Sequence, residues 1–252
     1  MASLTDAFND AFGEENAIVK FVVYAIPVFL CAYLYLSNSR FGCYTLAIPT
    51  ALLLLTLMTN GINNIRSNKR EILTLNPVLL ISVLIKLFFA VVPVFCIMTF
   101  IGYLIITFVK IPFDIPNITL IFNCIVFLIV FSVIFTSYLS FSKTLSIEAG
   151  YNLKVISESA MDVLICLLFL IPQLIIANGI IIGIVWYLFF VFHLPINNPL
   201  FIFYCSAVLV FNISALAGYF AQASYELIRG KDDEYKDNYY MKGPTDYTNK
   251  RK

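Results

Sequence analysis

Apolar residues fill six long runs of the chain, and polar residues are largely confined to the stretches between them. The runs cover approximately residues 17–36, 43–60, 86–109, 118–141, 165–192 and 200–227. A membrane-spanning helix needs about 20 mainly apolar residues to cross about 30 Å of hydrocarbon. Each run approaches or exceeds that length. The pattern therefore predicts an all-α integral membrane protein with six transmembrane helices.

Two of these runs share a phrase, which indicates an internal repeat. Lys20 lies seven residues before Pro27, and Lys86 lies seven residues before Pro93, while a later run carries Pro172 without the lysine. We expect three parallel-repeat helical hairpins, each a pair of consecutive spans. The predicted repeat units are 3–62, 72–142 and 152–227.

An interfacial lead-in helix is predicted before each hairpin. The apolar stretch 78–109 would measure about 48 Å as a straight helix, which is too long for the bilayer. Alignment with Lys20 places Lys86 at the membrane boundary, so residues 72–85 are expected to form a separate helix at the interface. Residues 4–12 and 153–163 show amphipathic patterns that fit the same role.

Basic residues predict the orientation and the location. Six spans place both termini on one side, and that side receives thirteen of the sixteen lysines and arginines, whereas Arg40 and Lys110 fall on the other. The positive-inside rule then puts both termini in the cytoplasm and the protein in the cell membrane. Residues 1–228 form the predicted membrane domain. Residues 229–252 are charged and lack an apolar period, so we expect a disordered cytoplasmic tail.

Composition restricts the class of protein and its partners. Hydrophobic residues make up 61% of the 252 residues and charged residues 12%, and the mean hydropathy is +0.90. Soluble domains are about 25% charged, so the principal partner is the lipid bilayer, together with an unidentified membrane or cytoplasmic protein. The net charge of +1 and the absence of a basic stripe argue against nucleic acid.

Residues that could carry chemistry are few. His193 is the single histidine, and the six cysteines are scattered without Cys-x-x-Cys spacing. We find no phosphate-binding glycine loop and no nucleophile motif. The sequence therefore predicts no catalytic residue, no metal site and no cofactor, and we expect a non-enzymatic protein.

Three sets of residues inside the runs are candidates for structure or for a site. Prolines within helices bend them, and in repeats they can mark a transport site. Amides in hydrocarbon either bond between helices or line a wet cavity. Small residues four apart permit close helix packing. The prolines are Pro27, Pro93 and Pro172; the amides are Gln173, Asn178, Asn123, Asn212 and Gln222; the small residues are Gly179, Gly183, Ser214 and Gly218.

The chain resembles a family of uncharacterised prokaryotic membrane proteins, the domain of unknown function 4013 group. The resemblance lies in Asp6-Ala7-Phe8, in the basic loop 64–71, and in the closing segment 217–225, Ala-Gly-Tyr-Phe-Ala-Gln-Ala-Ser-Tyr. It covers most of the chain before the tail. The family implies a multi-pass membrane protein and carries no assigned activity.

Two functions follow as hypotheses. The first is a membrane scaffold or interaction protein, and the alternative is a small permease or the membrane component of a transporter. A water-accessible cavity lined by Gln173, Asn178 or Asn212 would favour the alternative, whereas a solid bundle would favour the scaffold.

Overall fold

The computed structural model describes residues 4–14, 16–67, 72–108, 116–195 and 198–228. Within these ranges the chain forms eight α-helices and no β-strand. Six of the helices, α2 to α5, α7 and α8, are long and apolar enough to cross a membrane, as the sequence predicted. The predicted tail lies outside the described residues. The helices are α1 (Leu4–Phe12), α2 (Ala17–Leu36), α3 (Arg40–Arg66), α4 (Pro77–Phe108), α5 (Pro116–Thr144), α6 (Ile147–Gly150), α7 (Leu153–Val191) and α8 (Pro199–Leu227).

Asparagine followed by proline starts two of the long helices. Asn76 precedes α4, and its Oδ1 accepts hydrogen bonds from the backbone N–H groups of Val78 (3.1 Å) and Leu79 (3.3 Å). Asn198 precedes α8 and accepts from the N–H of Leu200 at 2.9 Å. Asparagine is a favoured N-cap, and proline suits the first helical position because no helical acceptor exists there for its missing N–H. Local sequence therefore fixes both starts.

Helix α8 lies at the centre of the bundle. It packs against α1, α2, α3, α5 and α7, and its apolar stretch is the most buried of the six. The consecutive spans α2 and α3, α4 and α5, and α7 and α8 also contact one another, as antiparallel partners would. These contacts establish neighbouring pairs of spans. The repeat relation among the three pairs stays a prediction.

Helices α3, α5 and α8 finish together at one end of the bundle. Arg66 donates a hydrogen bond to Ser224 Oγ at 2.6 Å, and Lys143 Nζ donates to the carbonyl of Ile228 at 3.1 Å. Asn63 Nδ2 donates to the carbonyl of Lys143 at 3.3 Å. We call this the basic end. Buried polar residues concentrate in the halves of the three helices that lead to it, and they include Thr56, Thr59, Asn60, Asn64, Thr136, Ser137, Ser140, Ser142, Ser214 and Ser224.

Only the first of the predicted lead-in helices is separate. The turn between α1 and α2 contains Asn16, whose φ of 58° lies in the left-handed region. The predicted lead-ins at 72–85 and 153–163 instead continue into α4 and α7 without a break, starting at Pro77 and Leu153. No glycine or proline lies between Pro77 and Pro93, so nothing in the sequence ends the helix there. The expectation of separate helices was wrong at these two places.

The lead-in helix α1 packs against the other helices of the bundle. Ala7 and Ala11 are fully buried. A Cβ placed on Gly218 would lie 3.4 Å from the Cα of Ala7, so glycine lets α1 approach α8 closely. Farther along α8, the rings of Phe8 and Phe211 stack with centroids 5.2 Å apart. These contacts fix α1 along α8.

Candidate functional site

Two of the five predicted amides form a closed pair between α7 and α8. Asn212 Nδ2 donates to Asn178 Oδ1 at 2.6 Å, and Asn178 Nδ2 donates to Asn212 Oδ1 at 3.3 Å. Each Nδ2 also donates at 2.8 Å to a carbonyl one turn earlier in its own helix, that of Leu174 or Val208. The two side chains satisfy one another, as an interhelical bond in hydrocarbon requires.

The other three amides lie apart from this pair. Gln173 is exposed on α7, while Asn123 on α5 and Gln222 on α8 are half-buried. None of the three takes part in the Asn178–Asn212 pair. The structure therefore brings two of the five predicted amides together, and the other three lie outside that pair.

The three predicted prolines all lie inside helices that are long enough to span a membrane. At Pro93, the backbone carbonyl that the proline leaves without its helical donor has another hydrogen-bond partner. Pro93 has no N–H to donate to the carbonyl of Phe89, four residues earlier in α4. That carbonyl accepts a hydrogen bond from the hydroxyl of Tyr151, in the turn between α6 and α7. Pro27 is half-buried in α2 and Pro172 is exposed in α7.

The small residues predicted to bring the fifth and sixth spans, α7 and α8, together do not form the contact between these helices. A Cβ added at Gly179 or Gly183 would meet nothing within 4 Å. Gly218 faces α1 rather than α7, and Ser214 is fully buried with no partner for its Oγ in the described ranges. The expectation that glycines allow α7 to approach α8 was wrong, because the Asn178–Asn212 pair and aromatic side chains form that contact.

A buried ion pair lies at the turn between α1 and α2. Lys20 Nζ and Glu14 Oε1 are 2.6 Å apart, and both side chains are at least nine-tenths buried. The same carboxylate oxygen accepts hydrogen bonds at 3.0 Å from the backbone N–H groups of Ile72 and Leu73. Glu14 therefore supplies an acceptor to the non-helical segment that precedes α4.

Burial dominates the electrostatics of Glu14. Loss of hydration raises the pKa of the carboxyl above its ordinary value of 4.5, although the hydrogen bonds from Lys20, Leu73 and Ile72 act in the opposite direction. The second oxygen, Oε2, is buried and has no hydrogen-bond partner within the described ranges. This unpaired atom explains why desolvation exceeds the stabilisation of the charge.

An open groove lies between α3, α4 and α5. It encloses about 520 Å³, and no polar atom contributes to its exposed lining. Along α4 it runs from Leu84 to Phe95, along α5 from Tyr138 to Phe131, and Leu55 contributes from α3. Tyr138 turns its polar atom away, because its hydroxyl hydrogen-bonds to α3 through Thr59 Oγ1 (3.1 Å).

No protein-family profile matches the chain, and no curated protein or solved structure is significantly similar to it. In the part of the chain that the structure describes, histidine, cysteine and acidic side chains form no group of three or more that could hold a metal ion. The pair, the turn and the groove therefore have to be interpreted from their own geometry.

Sequence reasoning named both amides of the pair among five candidates without pairing them, and it missed the other two features. Nothing near Glu14 in the sequence reveals that Ile72 and Leu73 lie against it. The groove requires three helices from different parts of the chain. No single residue of these apolar runs signals the groove, because its lining side chains are of the kinds that membrane spans ordinarily carry.

Proposed function

We propose that the chain is a non-enzymatic multi-pass protein of the cell membrane that acts as a scaffold or interaction protein. The observation that carries the proposal is the closed Asn178–Asn212 pair. Polar groups inside spans are the usual markers of a transport path. Here the two amides bond to one another and to their own helices, so their role is to hold α7 against α8.

The alternative of a small permease or transporter component depends on polar side chains that face a shared wet space. Gln173 is exposed on the outside of α7, and Asn178 and Asn212 are engaged with each other. The groove between α3, α4 and α5 is apolar throughout its lining. These observations support the scaffold over the permease.

The finer elements of the proposal concern topology and kinship. We place both termini in the cytoplasm on the basis of the excess of basic residues on that side, with the basic end of the bundle facing inward. Three repeated hairpins remain our interpretation of the paired spans, and a separate lead-in helix precedes only the first of them. Membership of the domain of unknown function 4013 group rests on the sequence resemblance alone, and it implies no activity.

The experiment compares Asn178→Leu with the double variant Asn178→Leu/Asn212→Leu. If the amides serve packing, the single variant leaves one amide without its partner and should lose about 1 kcal/mol of unfolding free energy. The double variant should recover part of that loss. In mild detergent, the native chain of a scaffold should retain a partner protein at a fixed molar ratio. Both folded variants should retain the same partner at the same ratio.

A transport role would give a different result. Native protein in liposomes would then conduct ions or small solutes, and the folded double variant would lose that conductance while keeping its stability. Such a loss, combined with the absence of any stoichiometric protein or lipid partner, would refute the scaffold proposal.

A further inference from the structure

We propose that Pro93 is a hinge in α4 and that the hydroxyl of Tyr151 holds this hinge at one angle. The part of α4 that follows the proline, residues 94–108, swings about it together with the neighbouring part of α5, residues 118–131. We call these two segments the distal arm. Three structural features support the hinge: the point where the packing of α4 ends, the few contacts of the distal arm, and the position of Tyr151.

The packing of α4 against the bundle ends at the proline. Before it, buried residues recur at steps of three or four along one face, as in a helix that packs against others. Continued past Val94, this stripe would reach Ile97 and Ile101, but their side chains are 58% and 40% exposed. Of residues 94–108, only Val94 and Gly102 are buried. The buried residues before the proline are Leu80, Val83, Leu87 and Ala90.

The distal part of α5 leaves the packed bundle as well. Among residues 118–131 only Val126 is buried, whereas every residue of 136–142 is buried. A Cβ placed on Gly102 would lie 2.9 Å from Val130 Cγ2, so the two segments of the distal arm pack against each other. Helix α5 also has a point where it can bend, because the hydroxyl of Ser132 donates at 2.8 Å to a backbone carbonyl of its own helix.

The first spans of the other two pairs are tied to α8 beyond their prolines. In α2, the ring of Phe29 lies 5.8 Å from that of Phe203 in α8, measured between centroids. In α7, Asn178 bonds to Asn212 of α8. Within the described ranges, α4 contacts α3, α5 and α6 but not α8. The proline of α4 therefore has no comparable tie beyond it, and α4 is the span that can bend there.

Tyr151 holds the hinge from the packed side. The proline withholds an N–H from the carbonyl of Phe89 and pushes that carbonyl aside, and the hydroxyl of Tyr151 donates to it. The turn that carries this tyrosine is itself anchored. Ser137 Oγ of α5 donates to the carbonyl of Gly150 at 2.8 Å, and a Cβ at Gly150 would lie 3.0 Å from the Cβ of Ala90 in α4. A fixed donor thus keeps the freed carbonyl, and with it the hinge, in one orientation.

The test measures distances between spin labels by double electron–electron resonance. The full chain is placed in lipid nanodiscs after its six native cysteines have been replaced. One label pair joins Ile106 of the distal arm to Tyr187 of α7, and the second joins Ile85 to Met161 in the packed halves; all four side chains are exposed. Ile106 lies about 20 Å beyond Pro93 along α4, so a change of about 10° at the hinge moves it by about 3 Å.

We expect Tyr151→Phe to release the hinge. The Ile106–Tyr187 distance distribution should broaden by about 3 Å, whereas the Ile85–Met161 distribution should stay as in the native chain. Tyr103→Phe, at an exposed tyrosine of the distal arm, is the matched control and should change neither distribution.

A second background tests the proline itself. Pro93→Ala restores the helical N–H, so Tyr151→Phe should leave both distributions unchanged in that chain. Broadening that persists there would place the flexible point elsewhere. An Ile106–Tyr187 distribution that Tyr151→Phe does not alter in the native background would overturn the proposal, because packing alone would then hold α4. Equal broadening of both label pairs would overturn it too, since it would indicate a general loosening of the fold.

Discussion

The hydroxyl of Tyr151 donates a hydrogen bond to the backbone carbonyl of Phe89. In an uninterrupted helix this carbonyl would accept from the residue four positions later, which here is Pro93 and has no N–H. The turn between α6 and α7 thus completes the hydrogen bonding of α4 at its proline. One side chain thereby connects the second pair of spans to the third.

We predict that Tyr151→Phe destabilises the protein in a way that depends on Pro93. Loss of the hydroxyl leaves a carbonyl unpaired and should lower the unfolding free energy by about 1 kcal/mol. In a Pro93→Ala background, Ala supplies the helical N–H, so the same change should cost much less. A double-mutant cycle, with unfolding in detergent followed by circular dichroism, measures the coupling. Equal costs of Tyr151→Phe in both backgrounds would show that the bond is unimportant.

A second prediction concerns two glycines in helices. A Cβ at Gly61 of α3 would lie 2.9 Å from the Cβ of Ala217 and 3.1 Å from the carbonyl oxygen of Ile72. Gly61→Ala should therefore cost about 1–3 kcal/mol, as overpacking does. Gly183→Ala is the matched control, because a Cβ there meets open space and alanine favours the helix. Thermal unfolding in detergent should separate them, and similar stabilities for the two variants would contradict the prediction.

The carboxyl of Glu14 should be needed mainly as a hydrogen-bond acceptor. Glu14→Ala removes the acceptor used by Lys20 and by the N–H groups of Ile72 and Leu73, and should cost about 3–5 kcal/mol, as breaking a buried pair does. Glu14→Gln keeps a side-chain oxygen at that place and should cost less. Denaturant titration of both variants measures the difference, and equal costs would mean that the oxygen has no such role.

The raised pKa of Glu14 gives a pH dependence of defined sign. Because the folded-state pKa exceeds the ordinary value of 4.5, folded protein holds the proton to higher pH than unfolded chain does. The contribution of Glu14 to the free energy of unfolding is therefore greatest below pH 4.5 and declines as the pH rises through the folded-state pKa of its carboxyl. The stability of native protein relative to Glu14→Gln should fall across that interval. A relative stability that rises with pH would contradict the prediction.

The sequence predicted those features that depend on neighbouring residues along the chain. Apolar runs located all six spans, because membrane insertion depends on length and hydropathy. The five amides were expected either to bond between helices or to line a wet cavity, since hydrocarbon offers an amide no water, and Asn178 and Asn212 bond between helices. These inferences required only local composition and the nature of the solvent.

Features that depend on distant parts of the chain were not predictable in this way. Gly179 and Gly183 have the spacing of a packing motif, but the spacing does not say whether their helix face points toward another helix. In the structure no neighbouring atom lies within 4 Å of a Cβ built at either glycine. Glu14 accepts hydrogen bonds from Ile72 and Leu73, which are more than fifty residues away along the chain. A single sequence does not record which segments meet.

The last prediction concerns the orientation of the bundle. Ser67 follows α3 at the basic end, and His193 follows α7 at the opposite end; both residues are exposed. The positive-inside rule places the basic end in the cytoplasm. In a chain whose six native cysteines are replaced, a membrane-impermeant maleimide added to intact cells should label His193→Cys and leave Ser67→Cys unlabelled. Permeabilised cells provide the control, because both cysteines should then react. Labelling of Ser67→Cys in intact cells, with His193→Cys protected, would reverse the topology and would place the basic end of the bundle outside the cell.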